Sequence, residues 1–334
     1  MPVRKKSEDC NFMLRVVFMG TPKFAVPALR VVARDHDIVA VYTQPDRPVG
    51  RGLEHQSSAA KRAALELGLK IFQPEKLSLP EELERLKSLN PDVIVVVAFG
   101  QILSKGVLSL PRLGCVNIHS SLLPRWRGAA PIQRAILEGD KETGITTMRI
   151  SDKLDAGGIL LQASTVVNSD DTAASLHDRL AEIGAKLIVE TLSGLEKGTL
   201  TDRPQNDSLA TYAAKLSKDM EWLDTRKNAV ILDRQVRALN PWPGTSVMVK
   251  IPGDQAILHR LKIKQIKLHD EMDITPGEIL VSNGMLLLGT VKGCLEIVLL
   301  QWDGRAEVDA AGFLNGLKGR GWTLPLKVSH VTAI

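Results

Sequence analysis

Asp92–Phe99 reads DVIVVVAF, and after the leading Asp it holds no polar side chain. A β-branched run this apolar suits a strand covered on both faces, the central position of a parallel sheet. Its neighbours support that placement. Leu14–Met19 is a second apolar run, and it ends in Gly20-Thr21-Pro22. Thr21 is the expected helix N-cap there, with Pro22 at the first helical position. Phe24–Ala33 then has helical spacing, and Ile38–Thr43 reads as the next strand. Together they make a β-α-β unit. Helices are expected at Ala59–Leu67 and at Glu81–Leu89, the latter started by Pro80, with a short extended piece at Lys70–Phe72 between them. Further strands are expected at Gly114–His119 and Thr146–Ile150. The fold class is therefore α/β, a Rossmann-like domain with a mostly parallel sheet.

A long amphipathic helix follows, with Leu176, Leu180, Ile183 and Leu187 on one face and Thr172 or Asp171 as cap. Residues 201–220 turn polar and read as a linker. After them Asn228–Leu239 is expected to be one helix, stopped by Pro241-Trp242-Pro243-Gly244. Thr245–Lys250, Ala256–Leu268, Gly277–Val281, Met285–Val291 and Cys294–Leu300 read as short strands. Their spacing predicts a small C-terminal β-barrel, OB-like or SH3-like on pattern alone. The expected organisation is a tail over 1–12, a catalytic domain over 13–200, the linker, and the barrel over 221–334.

The first dozen residues are polar and mixed in charge, without the apolar core of a signal peptide. No apolar run reaches the roughly 18 residues of a membrane span. Three cysteines far apart, Cys10, Cys115 and Cys294, suit a reducing compartment and no disulfide framework. The net charge of +5 is compatible with a polyanionic partner without requiring one.

Val116–Pro131 reads VNIHSSLLPRWRGAAP. Asn117 and His119 share one face of a strand, at its C-terminal end, where open α/β sheets bind ligands. An amide and an imidazole there can donate to an oxyanion, or the imidazole can accept a proton from an amine. Ser151–Leu160, SDKLDAGGIL, offers Asp155 just before a glycine turn that permits close backbone approach. A carboxylate there can orient the His119 ring. Thr43–Gln56, TQPDRPVGRGLEHQ, carries Arg47 and Arg51 on a Pro- and Gly-rich loop rising from the same edge. Such a loop can clamp a phosphate backbone. Phosphate-loop, dinucleotide, serine-elbow and metal-spacing motifs are lacking. His55, His177, His259, His269 and His330 are isolated and read as surface or structural.

NIHSSLLPRWRGAAPIQRAI resembles the signature of the formyltransferases, which take the formyl group from 10-formyltetrahydrofolate. MGTPKFAVPAL, TQPDRPVGRG, VVVAFGQIL, DKLDAGGILL, TYAAKLSKDMEWLD, VRALNPWPG and PGEIL also match, in order. The whole is similar to the branch that adds a C-terminal barrel and acts on methionyl-tRNA. The resemblance implies Asn117, His119 and Asp155 as catalytic trio. It implies tetrahydrofolate binding at Ser121, Leu122, Leu123 and Pro124, with Phe99, Gly100, Gln101 and Ile102 lining the pterin pocket. It places Arg51 against the acceptor end of initiator methionyl-tRNA, and Arg47 on the same loop is the second expected tRNA contact. It implies no metal, no membrane, a monomer and a bacterial-type cytoplasmic location, an organellar one being unsupported by the N-terminus. Where the family's loop continues with lysines, this chain has Leu53 and Glu54, which weakens a phosphate grip. From Glu221 onward 14 Lys and Arg face 12 Asp and Glu, so tRNA binding there requires clustering. The rival acceptors are a nucleotide-linked amino sugar and water. A tRNA-binding module with a dead site is disfavoured by the intact trio.

Overall fold

The computed structural model describes residues 13–49, 54–252 and 254–329. The expected N-terminal tail and Arg51 lie outside the described residues, as does Cys10. Two compact units emerge. One comprises residues 13–127, 144–164 and 178–211, the other residues 128–143, 165–177 and 212–329. Among the described residues no helix is long and apolar enough to cross a membrane.

The first unit is built on a seven-stranded sheet. In chain order its strands are β1 (Arg15–Gly20), β2 (Asp37–Tyr42), β3 (Ile71–Phe72), β4 (Val93–Val97), β5 (Cys115–His119), β6 (Glu142–Arg149) and β7 (Ile159–Val166). Their spatial order is β7-β6-β5-β4-β1-β2-β3, which puts β4 in the middle. β1 runs parallel to β2 and β4, β4 to β5, and β2 to β3, while β6 is antiparallel to β5. All five residues of β4 are buried, as a strand covered on both faces requires. Val17, Met19, Ile94 and Val96 alternate into one core face with Tyr42, Leu86 and Phe99.

The helices expected at 59–67, 81–89, after Thr172 and at 228–239 are found, while Pro131–Glu138 is a helix that apolar spacing did not mark. Ser58 caps Ala59–Glu66 by accepting from the Lys61 N–H. Thr172 and Ser175 cap Ala173–Glu196 reciprocally, each backbone N–H donating to the other's hydroxyl. Thr21 does not cap its helix, contrary to expectation. Its hydroxyl donates to the Phe99 carbonyl at 3.0 Å and accepts from the Gln44 N–H at 3.3 Å. It thus stitches the ends of β1, β2 and β4 together, and the helix Val26–Asp35 begins after a single 3-10 turn.

The second unit is a closed antiparallel barrel. Its strands are β8 (Thr245–Ile251), β9 (Asp254–His269), β10 (Glu278–Ser282), β11 (Met285–Gly289), β12 (Cys294–Trp302), β13 (Glu307–Asp309) and β14 (Leu326–Ser329). Six of them close in the order β9-β8-β14-β10-β11-β12, with β12 returning to β9. Alternate residues such as Val247, Val249, Leu261, Ile263, Leu295 and Ile297 fill the interior. The helix Ala229–Leu239 adds Leu232 and Val236 to this core, and Ala310–Lys318 adds Phe313 and Leu317. Five strands were expected. The sixth, β14, is a four-residue piece directly after Pro325.

Candidate active site

β5 delivers Asn117 and His119 to the carboxyl edge of the sheet. Asn117 lies opposite Val96 of β4 and Met148 of β6, and His119 opposite Thr146. Asn117 is half-buried and His119 buried, with 6% of its surface exposed. His119 Nε2 lies 2.9 Å from the main-chain oxygen of Trp126. A carbonyl only accepts, so Nε2 carries the hydrogen and donates. His119 Nδ1 faces Asp155 Oδ2 at 3.7 Å, within ion-pair reach but longer than a hydrogen bond. The geometry thus brings His119 and Asp155 together. It also commits the Nε2–H of His119 to Trp126, an assignment the sequence did not suggest.

Both neighbours of the imidazole hold unusual backbones. Trp126 has φ +63° and Asp155 has φ +47°. Non-glycine residues in this region cost roughly 1–3 kcal/mol each and persist where surroundings over-determine them. The surroundings here are specific. The Trp126 N–H donates to Thr211 Oγ1 at 2.9 Å, and the Arg127 N–H to the Thr211 carbonyl at 2.9 Å. Gln205 Nε2 donates to the carbonyls of Asp155 and Gly157, each at 2.8 Å. Gly157 is fixed from the other side, since a Cβ there would collide with the Arg149 carbonyl oxygen. The stretch that composition marked as a linker therefore carries specific bonds at both flanks of His119.

The turn after β5 is largely buried and densely hydrogen-bonded. Ser121 is fully buried and its hydroxyl donates to the Arg125 carbonyl at 2.6 Å. Thr146 Oγ1 accepts from the Leu123 N–H at 3.0 Å and from Gln162 Nε2 at 3.0 Å, and donates to the Ser121 carbonyl at 2.7 Å. Leu123 packs with Met148 and Ile159. Of the residues expected around the pterin, Phe99 has its ring in the core, and Gln101 is spent on the Leu77 N–H and the Pro74 carbonyl. Gly100 has φ +86°, and Ile102 is 90% exposed. Buried Cys115 has its thiol pushed up to about 12 by burial, which makes it no nucleophile at neutral pH.

The loop after β2 is organised at its base. Arg47–Val49 pairs antiparallel with Glu54–Gln56. Asp46 bonds to Lys61 Nζ at 2.5 Å and accepts from Gln73 Nε2 at 2.8 Å. Lys61, one of two cations that follow the loop, is therefore already paired. Arg47 and Arg62 line a groove of about 390 Å³ with Thr21, Gln44, Ser57 and Ser58. In the barrel, alternate lysines of β9 are also paired: Lys262 with Asp303 at 2.9 Å and Lys264 with Glu307 at 3.2 Å.

Comparison with known proteins places the chain in a family. The family described as "Formyl transferase" matches residues 14–192, and "Formyl transferase, C-terminal domain" matches residues 215–318. A methionyl-tRNA formyltransferase of Methylococcus capsulatus is 50% identical over 303 residues, covering 90% of this chain and 96% of its own. One from Coxiella burnetii is 45% identical over 304 residues, covering 90% and 95%. Among solved structures, HypX from Aquifex aeolicus in complex with tetrahydrofolic acid shares the fold at TM-score 0.62 and 18% identity, over 96% of this chain and 51% of its own. WlaRD, a sugar 3N-formyl transferase, does so at TM-score 0.63 and 18% identity, over 88% and 100%. The fold, the two matching domains and the extent of identity make the chain a member of the methionyl-tRNA formyltransferase family.

Proposed function

We propose that this chain transfers the formyl group of 10-formyltetrahydrofolate to the α-amine of initiator methionyl-tRNA, giving formylmethionyl-tRNA for translation initiation. The observation that carries the reading is His119 set against Asp155, beside Asn117, at the carboxyl edge of the sheet. The identity of 50% to the Methylococcus relative along nearly its whole length supports the acceptor.

In this reading the Ser121–Pro124 turn and the segment from Phe99 to Ile102 hold the folate, with the formyl carbon facing Asn117 and His119. The amine nitrogen attacks that carbon, and the carbonyl π pair moves to oxygen. The Asn117 amide donates to the oxyanion. The attacking nitrogen now carries a surplus proton, which His119 Nδ1 accepts, because Nε2 already holds its hydrogen against Trp126. The imidazolium that forms has one N–H on a carbonyl and the other toward the Asp155 carboxylate. Collapse restores the carbonyl and breaks the bond to the folate N10, which takes the proton back from His119. Arg47 and Arg51 contact phosphates at the acceptor end.

The test is transfer of labelled formyl from the folate to purified acceptors. Label should reach initiator methionyl-tRNA and leave uncharged tRNA and a nucleotide-linked amino sugar unlabelled. Preferential labelling of the sugar, or release of free formate without an acceptor, contradicts the reading.

A further inference from the structure

We infer that Gln205 is a positioning residue for this reaction: tethered by buried Arg127, it holds the Asp155–Gly157 turn so that the Asp155 carboxylate faces His119. The inference rests on the role proposed above for Asp155.

Three observations carry it. Asp155 sits at φ +47°, so its backbone needs outside support to stay there. Gln205 supplies that support with both hydrogens of its amide, to the Asp155 and Gly157 carbonyls at 2.8 Å each. The amide itself cannot turn. Its Oε1 accepts from Arg127 Nε at 3.0 Å and Nη2 at 2.8 Å, and a guanidinium only donates, so the orientation is fixed from both sides. Arg127 is 4% exposed and is held further by Asp207 at 2.7 Å. The strap that carries Gln205, residues 202–211, is pinned by paired bonds between Arg203 and Ile159, and Asp202 packs so closely on Gly158 that a Cβ there would collide with its carboxylate. Its far end, Thr211, holds Trp126, the other acceptor of the His119 ring. One strap thus sets the position of both groups that flank the imidazole.

Gln205→Glu isolates the role. The carboxylate keeps both bonds to Arg127, but it turns an oxygen instead of an NH₂ toward two carbonyls. We expect kcat to fall about ten- to a hundredfold, the scale of lost support behind an active residue. The KM values for formyl-folate and methionyl-tRNA should stay within about twofold, which a general loosening of the fold would not leave unchanged. In an Asp155→Asn background the same change should cost less than about threefold more, because it acts through Asp155. Arg127→Lys leaves a cation without the planar fork, so it should reproduce the loss and add little to Gln205→Glu. A full penalty for Gln205→Glu in the Asp155→Asn background overturns the inference. So does an indifferent Gln205→Glu beside a costly Asp155→Asn. Full activity of Asp155→Asn itself overturns the role given to Asp155, and this inference with it.

Discussion

The Nε2–H of His119 donates to the carbonyl of Trp126 at 2.9 Å, and Trp126 presents that carbonyl from a left-handed backbone at φ +63°. The bond fixes the tautomer and leaves Nδ1 as the nitrogen that can take up a proton. His119→Ala and Asp155→Asn should each lower kcat by at least about 10²-fold, the range of general acid–base catalysis. Folate affinity, measured separately by fluorescence titration, should change little. The double mutant should cost far less than the product of the singles, because the two act as one unit. Either variant retaining more than half its turnover would show that the roles are assigned wrongly.

Thr146 makes a prediction about the turn rather than the chemistry. Its hydroxyl is fully buried and serves the Leu123 N–H, the Ser121 carbonyl and Gln162 at once. Thr146→Val keeps the shape and removes the hydroxyl. It strands a buried donor and a buried acceptor, which costs about 1–3 kcal/mol for such a group. The urea midpoint should drop accordingly at constant m-value. The folate dissociation constant should rise several-fold if the turn proposed to hold it loosens. Unchanged folate binding in a destabilised variant would separate the turn from the folate site.

The sheet was legible because buried parallel strands are written as apolar runs, and β4 reads that way from Val93 to Val97. Asn117 and His119 were legible because strand alternation puts them on one face. The Trp126 carbonyl was not, since a main-chain acceptor leaves no mark in the choice of side chain. Gln205 lies 50 positions from Asp155 in a tract of polar residues. Composition cannot tell polar side chains that bond to carbonyls from polar side chains that bond to water, so the strap read as a linker. In the barrel, Ala310–Lys318 was missed because two glycines weaken its helical pattern. Thr21 misled for a related reason: a threonine before a proline fits a cap, but here its hydroxyl joins three strand ends.

Asp46 predicts a pH response of the loop base. The hydrogen bonds from Lys61 and then Gln73 hold its carboxyl below the ordinary value of 3.8. A depressed carboxylate contributes stability above its unfolded pKa and loses it as pH falls through the folded value. Lys61 and Asp46 are both mostly covered, at 20% and 26% side-chain exposure, so ordinary salt should disturb the pair little. Hydrogen exchange of the amides at Thr43–Asp46 and Ser57–Lys61 should therefore show constant protection between pH 8 and 5, after correction for intrinsic rates. Protection should fall only below about pH 4. Asp46→Asn should show the loosened state already at pH 7. A transition centred near pH 6 would point to a different titrating group.

Arg47 and Arg62 test the acceptor. They line the same groove as Thr21, Ser57 and Ser58, beside the ends of β1 and β2 on the edge that carries His119. Lys61 is bound to Asp46 and cannot share the task without breaking that pair. A phosphate in this groove would meet two guanidinium groups, of which Arg62 already gives one N–H to the Ser57 carbonyl and keeps others to donate, and these match its oxygens in a way a lysine does not. Arg47→Ala and Arg62→Ala should each raise KM for methionyl-tRNA by roughly tenfold, the rough scale of a 1–3 kcal/mol contact. Each lost phosphate contact should also reduce the slope of log KM against log salt by about 0.9. The effect should hold equally for any tRNA sequence in the acceptor stem, because phosphates carry no base identity. A small amine acceptor does not reach the groove, so its slow formylation should be indifferent to both changes. Equal losses with both acceptors would mean that the arginines support the fold or the folate site. No loss with tRNA, and an unchanged salt slope, would place the acceptor stem away from this groove.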